Sequence, residues 1–160
     1  MVETGDHAPD FTAPLANGDV EEFTFSDSLE ADAPVVLAFF PGAFTGVCTT
    51  EMCTFRDEMS KFDEVEATVY GVSVDSPFSL NEWREQNDLN FGLVSDSNKE
   101  VIDAYDVRMD FADLGYYGVA KRSVFVVNAD GEITYSWVSD DPGVEPDYEE
   151  VEQAAADAAQ

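Results

Sequence analysis

Cys48 is the side chain of this sequence that is best placed to act as a nucleophile. It lies where a Pro- and Gly-rich loop, which begins at Pro41 after an apolar run, leads into a helical pattern. A cysteine in the first turn of a helix meets unpaired backbone N–H groups and the positive end of the helix dipole. Both favour the thiolate, which is the reactive form of cysteine. A small buried cysteine that only packs at a helix start is the alternative interpretation.

The elements that position Cys48 are predicted from apolar periodicity. Four apolar runs have the length of buried strands, and they cover residues 34–40, 68–74, 91–94 and 123–127. Apolar residues at helical spacing predict a helix from about Thr49 to Phe62. Residues 79–87 and 98–105 are further helix candidates.

Turn signals complete the expected architecture. Residues 10–25 form a predicted hairpin around Asn17-Gly18, residues 115–118 a loop, and a turn ending at Gly131 leads into another hairpin strand at 133–137. Pro146 opens an acidic helix within about residues 145–160. We expect a single α/β domain over residues 1–160, with a central mixed sheet flanked by helices. This order resembles the thioredoxin-like fold with an N-terminal β-hairpin extension.

The charge balance excludes some partners and predicts an environment. The chain has 35 Asp and Glu against 7 Lys and Arg, a net charge of −28, while 44% of its residues are hydrophobic. Nucleic acid and anionic membranes are therefore excluded as partners, and general disorder is excluded too. Repulsion among so many carboxylates would destabilise a folded domain at ordinary salt, but it is screened at molar salt, where the Debye length is ~3 Å. We expect an extreme halophile; the alternatives are an acidic mesophile protein or one half of a complex with a basic partner.

No export or membrane segment is recognisable in the sequence. Residues 1–7 lack a basic region followed by an apolar one, and the longest apolar run, residues 35–40, is far below the ~20 residues of a membrane span. Two Cys and one His form neither a disulfide scaffold nor a zinc ligand set. We therefore expect a cytoplasmic protein without metal or cofactor.

The loop before Cys48 carries a motif with a known counterpart. Pro41-x-x-x-Thr45-x-x-Cys48 resembles the active-site signature of the peroxiredoxins, the alkyl hydroperoxide reductase and thiol-specific antioxidant family. Residues 5–11, 55–57, 72–75 and 122–125 resemble the family in the same order. The resemblance is closest to the bacterioferritin-comigratory and one-Cys-like subgroups. It implies a thiol-dependent peroxidase that reduces hydrogen peroxide and organic hydroperoxides in antioxidant defence and redox homeostasis.

The resemblance also implies roles for the residues of the motif. Cys48 would be the peroxidatic residue, which attacks the O–O bond as a thiolate and becomes a sulfenic acid. The Thr45 hydroxyl would interact with the thiolate and the peroxide, and Pro41 would form a wall of the pocket without adding an N–H donor. Arg122 would hold Cys48 ionised and polarise the peroxide. A surface ion pair is the alternative for Arg122.

Three residues are candidates for a supporting role. By family position, Arg56 would brace Arg122 through a carboxylate such as Glu51, although a helix-surface ion pair is the alternative. Trp83 would line the mouth of the pocket by family analogy, and a core aromatic is its alternative interpretation.

The thiol that resolves the sulfenic acid stays open. Cys53 is the candidate within the chain, as in some bacterioferritin-comigratory members. Five residues of helix separate the two Cα atoms by ~7.5 Å along the axis, and a disulfide tolerates up to ~7 Å. The first helical turns would therefore have to unwind, unless an external thiol resolves Cys48.

Partners and rival functions follow from the same residues. We expect thioredoxin or a similar thiol as the reductant, a peroxide as the substrate and a possible homodimer. The rival functions are a thiol–disulfide oxidoreductase of this fold, for which Cys-x-x-Cys is missing, and a binding or holdase protein with Cys48 as a redox sensor.

Overall fold

A seven-stranded mixed sheet forms the centre of the molecule in a computed structural model that describes residues 2–160. The strand order is β2-β1-β5-β4-β3-β8-β9, and β6 and β7 form a separate two-stranded sheet. The strands are β1 Thr12–Ala16, β2 Val20–Thr24, β3 Val35–Phe39, β4 Thr68–Ser73, β5 Gly92–Ser95, β6 Arg108–Phe111, β7 Tyr116–Ala120, β8 Ser123–Val127 and β9 Ile133–Val138. Strands β3, β4 and β5 are parallel, whereas β8 runs antiparallel to β3.

Helices cover both faces of this sheet. They are α1 Phe25–Asp32, α2 Gly46–Asp57, α3 Met59–Glu64, α4 Pro77–Gln86, α5 Glu100–Ala104 and α6 Tyr148–Ala158, with a 3-10 turn at Ala112–Leu114. None of the helices in residues 2–160 is long and apolar enough to span a bilayer.

The apolar core lies in two layers, one on each side of the sheet. On one side α2 packs through Met52 and Phe55, and on the other side α5 packs through Val101 and Ile102. All residues of β3 and β8 are buried, because these central strands are covered on both faces. The prediction of a mixed sheet flanked by helices is therefore confirmed.

The boundaries differ from the predictions at several points. The helix predicted from Thr49 to Phe62 begins at Gly46 and is broken at Glu58, where the backbone leaves the helical region (φ −95°, ψ 4°). The N-terminal hairpin is part of the main sheet, because β1 pairs with β5. The terminal helix begins at Tyr148 rather than near Pro146, because the Asp147 side chain caps it by accepting from the Glu150 N–H.

Helix α1 and strands β6 and β7 were not predicted from the sequence. Helix α1 follows the hairpin directly, and its burial is limited to two residues, so its apolar pattern is weak. Strands β6 and β7 replace a region in which residues 115–118 were predicted to form a loop. Gly115 adopts φ 65° at the turn before β7, a conformation that favours glycine. Because glycine is typical of loops, its presence led to the prediction of a loop where β7 begins.

Candidate active site

The candidate nucleophile Cys48 lies at the carboxyl end of a central strand. Strand β3 ends at Phe39, a short loop follows, and Thr45 is the N-cap of α2. Cys48 is the third residue of the helix, in the turn whose backbone N–H groups lack helical acceptors. Only 1% of its surface is exposed. The prediction that Cys48 lies in the first turn of a helix is confirmed.

Arg122 approaches Cys48 from the link between β7 and β8. Its Nη2 donates to Cys48 Sγ at 3.1 Å and its Nη1 to Glu51 Oε1 at 2.7 Å. Nε and Nη2 also donate to the Pro142 carbonyl oxygen, at 3.2 Å and 3.0 Å. The fixed fork of the guanidinium thus holds three partners in one geometry. With 1% of its surface exposed, Arg122 is not in the surface ion pair that was the alternative.

The charge of Arg122 is retained in this buried position. Burial lowers its pKa, but the neighbouring Glu51 and Cys48 raise it by more, so that the pKa lies above the ordinary arginine value. The guanidinium is therefore a permanent cation that lies in contact with the sulfur.

Glu51 is the buried carboxyl group on the far side of Arg122. It has no exposed surface, and burial raises its pKa from 4.5 to about 7, against the opposing effect of Arg122. Glu145 raises this pKa further. Among residues 2–160, Oε2 of Glu51 has no hydrogen-bond partner. Glu51 therefore changes its charge in the physiological pH range, unlike an ordinary glutamate.

The loop between β3 and α2 is held by polar contacts that the sequence did not reveal. The Asp75 carboxylate accepts the Ala43 N–H at 2.8 Å and the Ser73 hydroxyl at 2.7 Å. The Thr45 hydroxyl donates to the Gly42 carbonyl oxygen at 2.8 Å, so its hydrogen does not point to Cys48. Asp75 lies in one of the segments that resemble the peroxiredoxins, but this contact depends on tertiary structure.

Cys48 lies in a pocket of about 270 Å³. The lining residues come from the Cys48 loop and helix, from the β6–β7 region, from Arg122 and from the segment before α6: Pro41, Thr45, Gly46, Val47, Cys48, Phe111, Leu114, Tyr116, Arg122, Pro142 and Gly143. Most of these side chains are apolar. The structure thus brings the predicted residues Pro41, Thr45, Cys48 and Arg122 together.

The aromatic wall of the pocket was missed in the sequence. The ring of Phe111 is stacked on that of Tyr116, with centroids 6.5 Å apart. The Tyr116 hydroxyl donates to the Pro41 carbonyl oxygen at 3.4 Å and lies 2.8 Å from where a Cβ on Gly42 would be. Glycine at position 42 therefore allows the hairpin to close over the loop. The aromatic residues Phe111 and Tyr116 were the signal in the sequence that could have indicated this wall.

Two of the supporting residues lie elsewhere. Arg56 does not brace Arg122, because it donates to Asp57 Oδ1 at 3.0 Å and to the Asn87 carbonyl oxygen at 2.6 Å. Arg56 lies on α2 as Glu51 does, but on a different face of the helix. Trp83 does not line the pocket; its ring lies in the core beside Phe40, with centroids 5.2 Å apart. Arg56 therefore forms the helix-surface ion pair that was its alternative, and Trp83 is the core aromatic that was its alternative.

Cys53 is separated from Cys48 by continuous helix. Both lie within α2, and Cys53 is half-buried with its Sγ 3.8 Å from Asn87 Oδ1. Cys53 is not among the residues that line the pocket. Within residues 2–160, no cluster of His, Cys, Asp and Glu is suited to a metal ion.

Comparisons with known proteins agree with this site. The AhpC/TSA family matches residues 4–136. The putative peroxiredoxin ycf42 of Porphyra purpurea is 39% identical over 145 residues, 86% of this chain and 69% of its own length. Peroxiredoxin Bcp of Bacillus subtilis is 33% identical over 138 residues, 85% of each chain. The crystal structure of peroxidoxin BcpB from Mycobacterium tuberculosis has a TM-score of 0.77 and 31% identity, covering 99% of this chain and 94% of that one.

These relatives decide between the functions that the sequence left open. Neither a thiol–disulfide oxidoreductase nor a redox-sensing holdase is favoured by them. A buried cysteine at a helix N-terminus, in contact with an arginine at the base of an apolar pocket, suits the reduction of peroxides by thiols. The chain belongs to the AhpC/TSA family and is a Bcp-like peroxiredoxin, a thiol-dependent peroxidase of antioxidant defence.

Proposed function

We propose that Cys48 is the peroxidatic residue and that Arg122 activates both the sulfur and the peroxide. The observation that supports this most directly is the 3.1 Å contact between Arg122 Nη2 and Cys48 Sγ in the pocket. A guanidinium in this position stabilises the thiolate before the reaction and the charge on the leaving oxygen during it.

The reaction proceeds by attack of the thiolate on the terminal oxygen of the hydroperoxide. The S–O bond forms while the O–O bond breaks, and sulfur loses the two electrons that the peroxide gains. The leaving alkoxide or hydroxide takes up a proton and departs as alcohol or water. Thr45 orients the substrate: its own hydrogen is bound to the Gly42 carbonyl oxygen, so its oxygen accepts the O–H of the peroxide. Pro41 forms a wall of the pocket without offering a competing N–H group.

The pocket fits neutral peroxides. Its apolar wall, formed by Val47, Phe111, Leu114 and Pro142, suits the carbon chain of an organic hydroperoxide, and hydrogen peroxide is small enough to enter as well. The net charge of −28 opposes the approach of anionic oxidants at low salt. We therefore propose hydrogen peroxide and uncharged organic hydroperoxides as the substrates.

Resolution of the sulfenic acid is proposed to use either Cys53 or an external thiol. An internal disulfide requires α2 to unwind between Cys48 and Cys53, because helical geometry holds the two sulfurs apart. Thr49 and Thr50 are weak helix formers within this turn, which lowers the cost of unwinding. In both cases thioredoxin or a similar dithiol returns the enzyme to the reduced state.

Mass spectrometry after a single turnover tests the proposed chemistry. One equivalent of peroxide is added to the fully reduced protein, which is then quenched without reductant and compared with Cys53→Ser. We expect a Cys48–Cys53 disulfide, two hydrogens lighter, in the wild type, and a sulfenic acid on Cys48, one oxygen heavier, in the variant. A sulfenic acid that persists in the wild type would assign resolution to an external thiol. Oxidation that leaves Cys48 unmodified would reject the proposed function.

The acidic surface supports the proposal of a halophilic, cytoplasmic protein. Among residues 2–160, six carboxylates form ion pairs with Lys or Arg, those of Glu51, Asp57, Glu58, Asp103, Asp140 and Glu152, whereas the chain has 35 Asp and Glu against 7 Lys and Arg. The excess of negative charge repels itself unless salt screens it. A homodimer is a further proposal: Leu114 and Tyr117 are 76% and 57% exposed beside the pocket, and a second copy would cover them.

Stability is expected to increase with KCl concentration. The Debye length falls from about 10 Å at 0.1 M salt to about 3 Å at 1 M, so the repulsion among carboxylates weakens while the core stays unchanged. We expect the melting temperature, followed by circular dichroism, to rise by roughly 10 °C over this range, a few kcal/mol for a chain of this length. Sucrose is the control, since it favours burial without screening charge. An unchanged melting temperature in KCl would contradict the halophilic interpretation.

A further inference from the structure

Arg122 is a single cation placed between two groups that can carry negative charge. Its Nη2 contacts Cys48 Sγ at 3.1 Å and its Nη1 contacts Glu51 Oε1 at 2.7 Å. Cys48 and Arg122 are each 1% exposed, and Glu51 has no exposed surface. In the described residues 2–160, the only ion pair of Glu51 is the one with Arg122. Two full negative charges in this buried space would therefore share one positive charge.

The other groups around Glu51 do not compensate for a second negative charge. Glu145, from the segment before α6, raises the pKa of Glu51, and Tyr148 on α6 is a neutral group that Glu51 influences in turn. Burial has the largest effect and raises the pKa of Glu51 to about 7. Its Oε2 has no partner in residues 2–160, so a proton can be bound there without breaking a contact.

We infer that Glu51 and Cys48 act as a coupled pair, in which Glu51 holds a proton while Cys48 is a thiolate and releases it when Cys48 becomes a sulfenic acid. This inference rests on the proposed peroxidatic role of Cys48. Oxidation removes the negative charge from sulfur, and the Glu51 carboxylate then becomes the counter-ion of Arg122. Glu51 is a positioning residue that acts through Arg122, because it lies behind the guanidinium and is not among the residues that line the pocket.

The proton balance of the oxidation step follows from this coupling. Without Glu51, thiolate, hydroperoxide and one proton from solvent give sulfenic acid and alcohol. With a protonated Glu51, the carboxyl group releases one proton for each proton that the leaving alkoxide takes up. The products are then sulfenic acid, alcohol and the Glu51 carboxylate. The total charge of the site stays at one negative charge beside Arg122, and no net proton is drawn from solvent.

Proton uptake during a single turnover tests the inference. Reduced protein and one equivalent of hydrogen peroxide are mixed in weakly buffered KCl with a pH indicator, and the protons taken up per Cys48 oxidised are compared between the wild type and Glu51→Gln. Near neutral pH, we expect Glu51→Gln to take up more than the wild type by about half a proton. At about pH 9 the difference should vanish, because Glu51 is then ionised before oxidation.

Controls separate this inference from the proposed function and from folding. Glu64→Gln, at an exposed position on α3, makes the same change of charge away from the site and is expected to match the wild type. Infrared difference spectra of the wild type should show the loss of a protonated carboxyl band on oxidation, without any variant that has to fold. Equal proton uptake in wild type and Glu51→Gln near neutral pH would overturn the coupling. Failure of Cys48 to react with peroxide would instead overturn the proposed function.

Discussion

Replacement of Cys48 by serine is expected to abolish peroxide reduction. Cys48 Sγ is the proposed nucleophile, and it receives the Arg122 hydrogen bond in the pocket. A serine hydroxyl at this position stays protonated at neutral pH and is far less nucleophilic than a thiolate. Serine is close to cysteine in size, so the packing of the first turn of α2 should be preserved. Activity in Cys48→Ser should therefore fall to the uncatalysed background.

Stopped-flow measurement of hydrogen peroxide consumption checks this expectation. The reductant is supplied in excess, and thiol titration and thermal melting verify that each variant is folded and reduced. Cys53→Ser is the matched control for the first step, because Cys53 does not line the pocket; a single turnover at Cys48 should still occur in it. Reaction of Cys48→Ser as fast as the wild type would show that the peroxidase activity belongs to another group.

Replacement of Arg122 by methionine is expected to slow the oxidation of Cys48 by roughly 10²–10³-fold, the range found when one preorganised donor of a charged transition state is removed. Methionine keeps the volume of the side chain but offers no donor to the sulfur, to Glu51 or to the Pro142 carbonyl oxygen. Arg122→Lys should recover only part of the rate. An ammonium group keeps the charge but cannot reproduce the planar contacts with all three partners.

The rate constant for oxidation of Cys48 by hydrogen peroxide is the measurement for this prediction. Because Arg122→Met leaves Glu51 buried without its cation, the double variant Glu51→Gln/Arg122→Met separates loss of catalysis from loss of stability. Arg108→Met is the control, because Arg108 forms an exposed ion pair with Asp103 and surface pairs contribute about 0–1 kcal/mol. Rates for Arg122→Met within a few-fold of the wild type would argue that the guanidinium has no catalytic role.

Local signals in the sequence predicted Cys48 as a candidate nucleophile, whereas the role of Arg122 came from the resemblance to the peroxiredoxins. Cys48 follows a buried strand and a loop at the start of a helical pattern, and Arg122 stands at the beginning of an otherwise apolar strand. The bond from Asp75 to the Ala43 N–H and the titration of Glu51 could not be predicted in this way. Both depend on burial and on neighbours distant in sequence, which periodicity does not report.

The β6–β7 region shows a second reason why sequence patterns fail. Its strands are short, only partly buried, and interrupted by a shift in register between Met109 and Phe111. Polar and apolar residues alternate over only four residues in β6 and do not alternate in β7, although the pocket takes its aromatic wall from this hairpin. The sequence thus predicted the residues proposed for the chemistry better than those that form the aromatic wall of the pocket.

The two sides of the pocket are anchored to two different sheets of the molecule. Phe39 pairs with Ser123 in the central ladder between β3 and β8, and the loop to Cys48 and the link carrying Arg122 leave the sheet at these two ends. The central strands therefore fix the backbone on both sides of the Cys48–Arg122 contact, and moving the sulfur away from the guanidinium requires a rearrangement of α2, such as the unwinding proposed for disulfide formation. The β6–β7 hairpin belongs to a separate two-stranded sheet, and we expect it to open at a lower free energy than the central strands. Local fluctuations can thus widen the entrance and admit substrates of different size while the reacting groups stay in register.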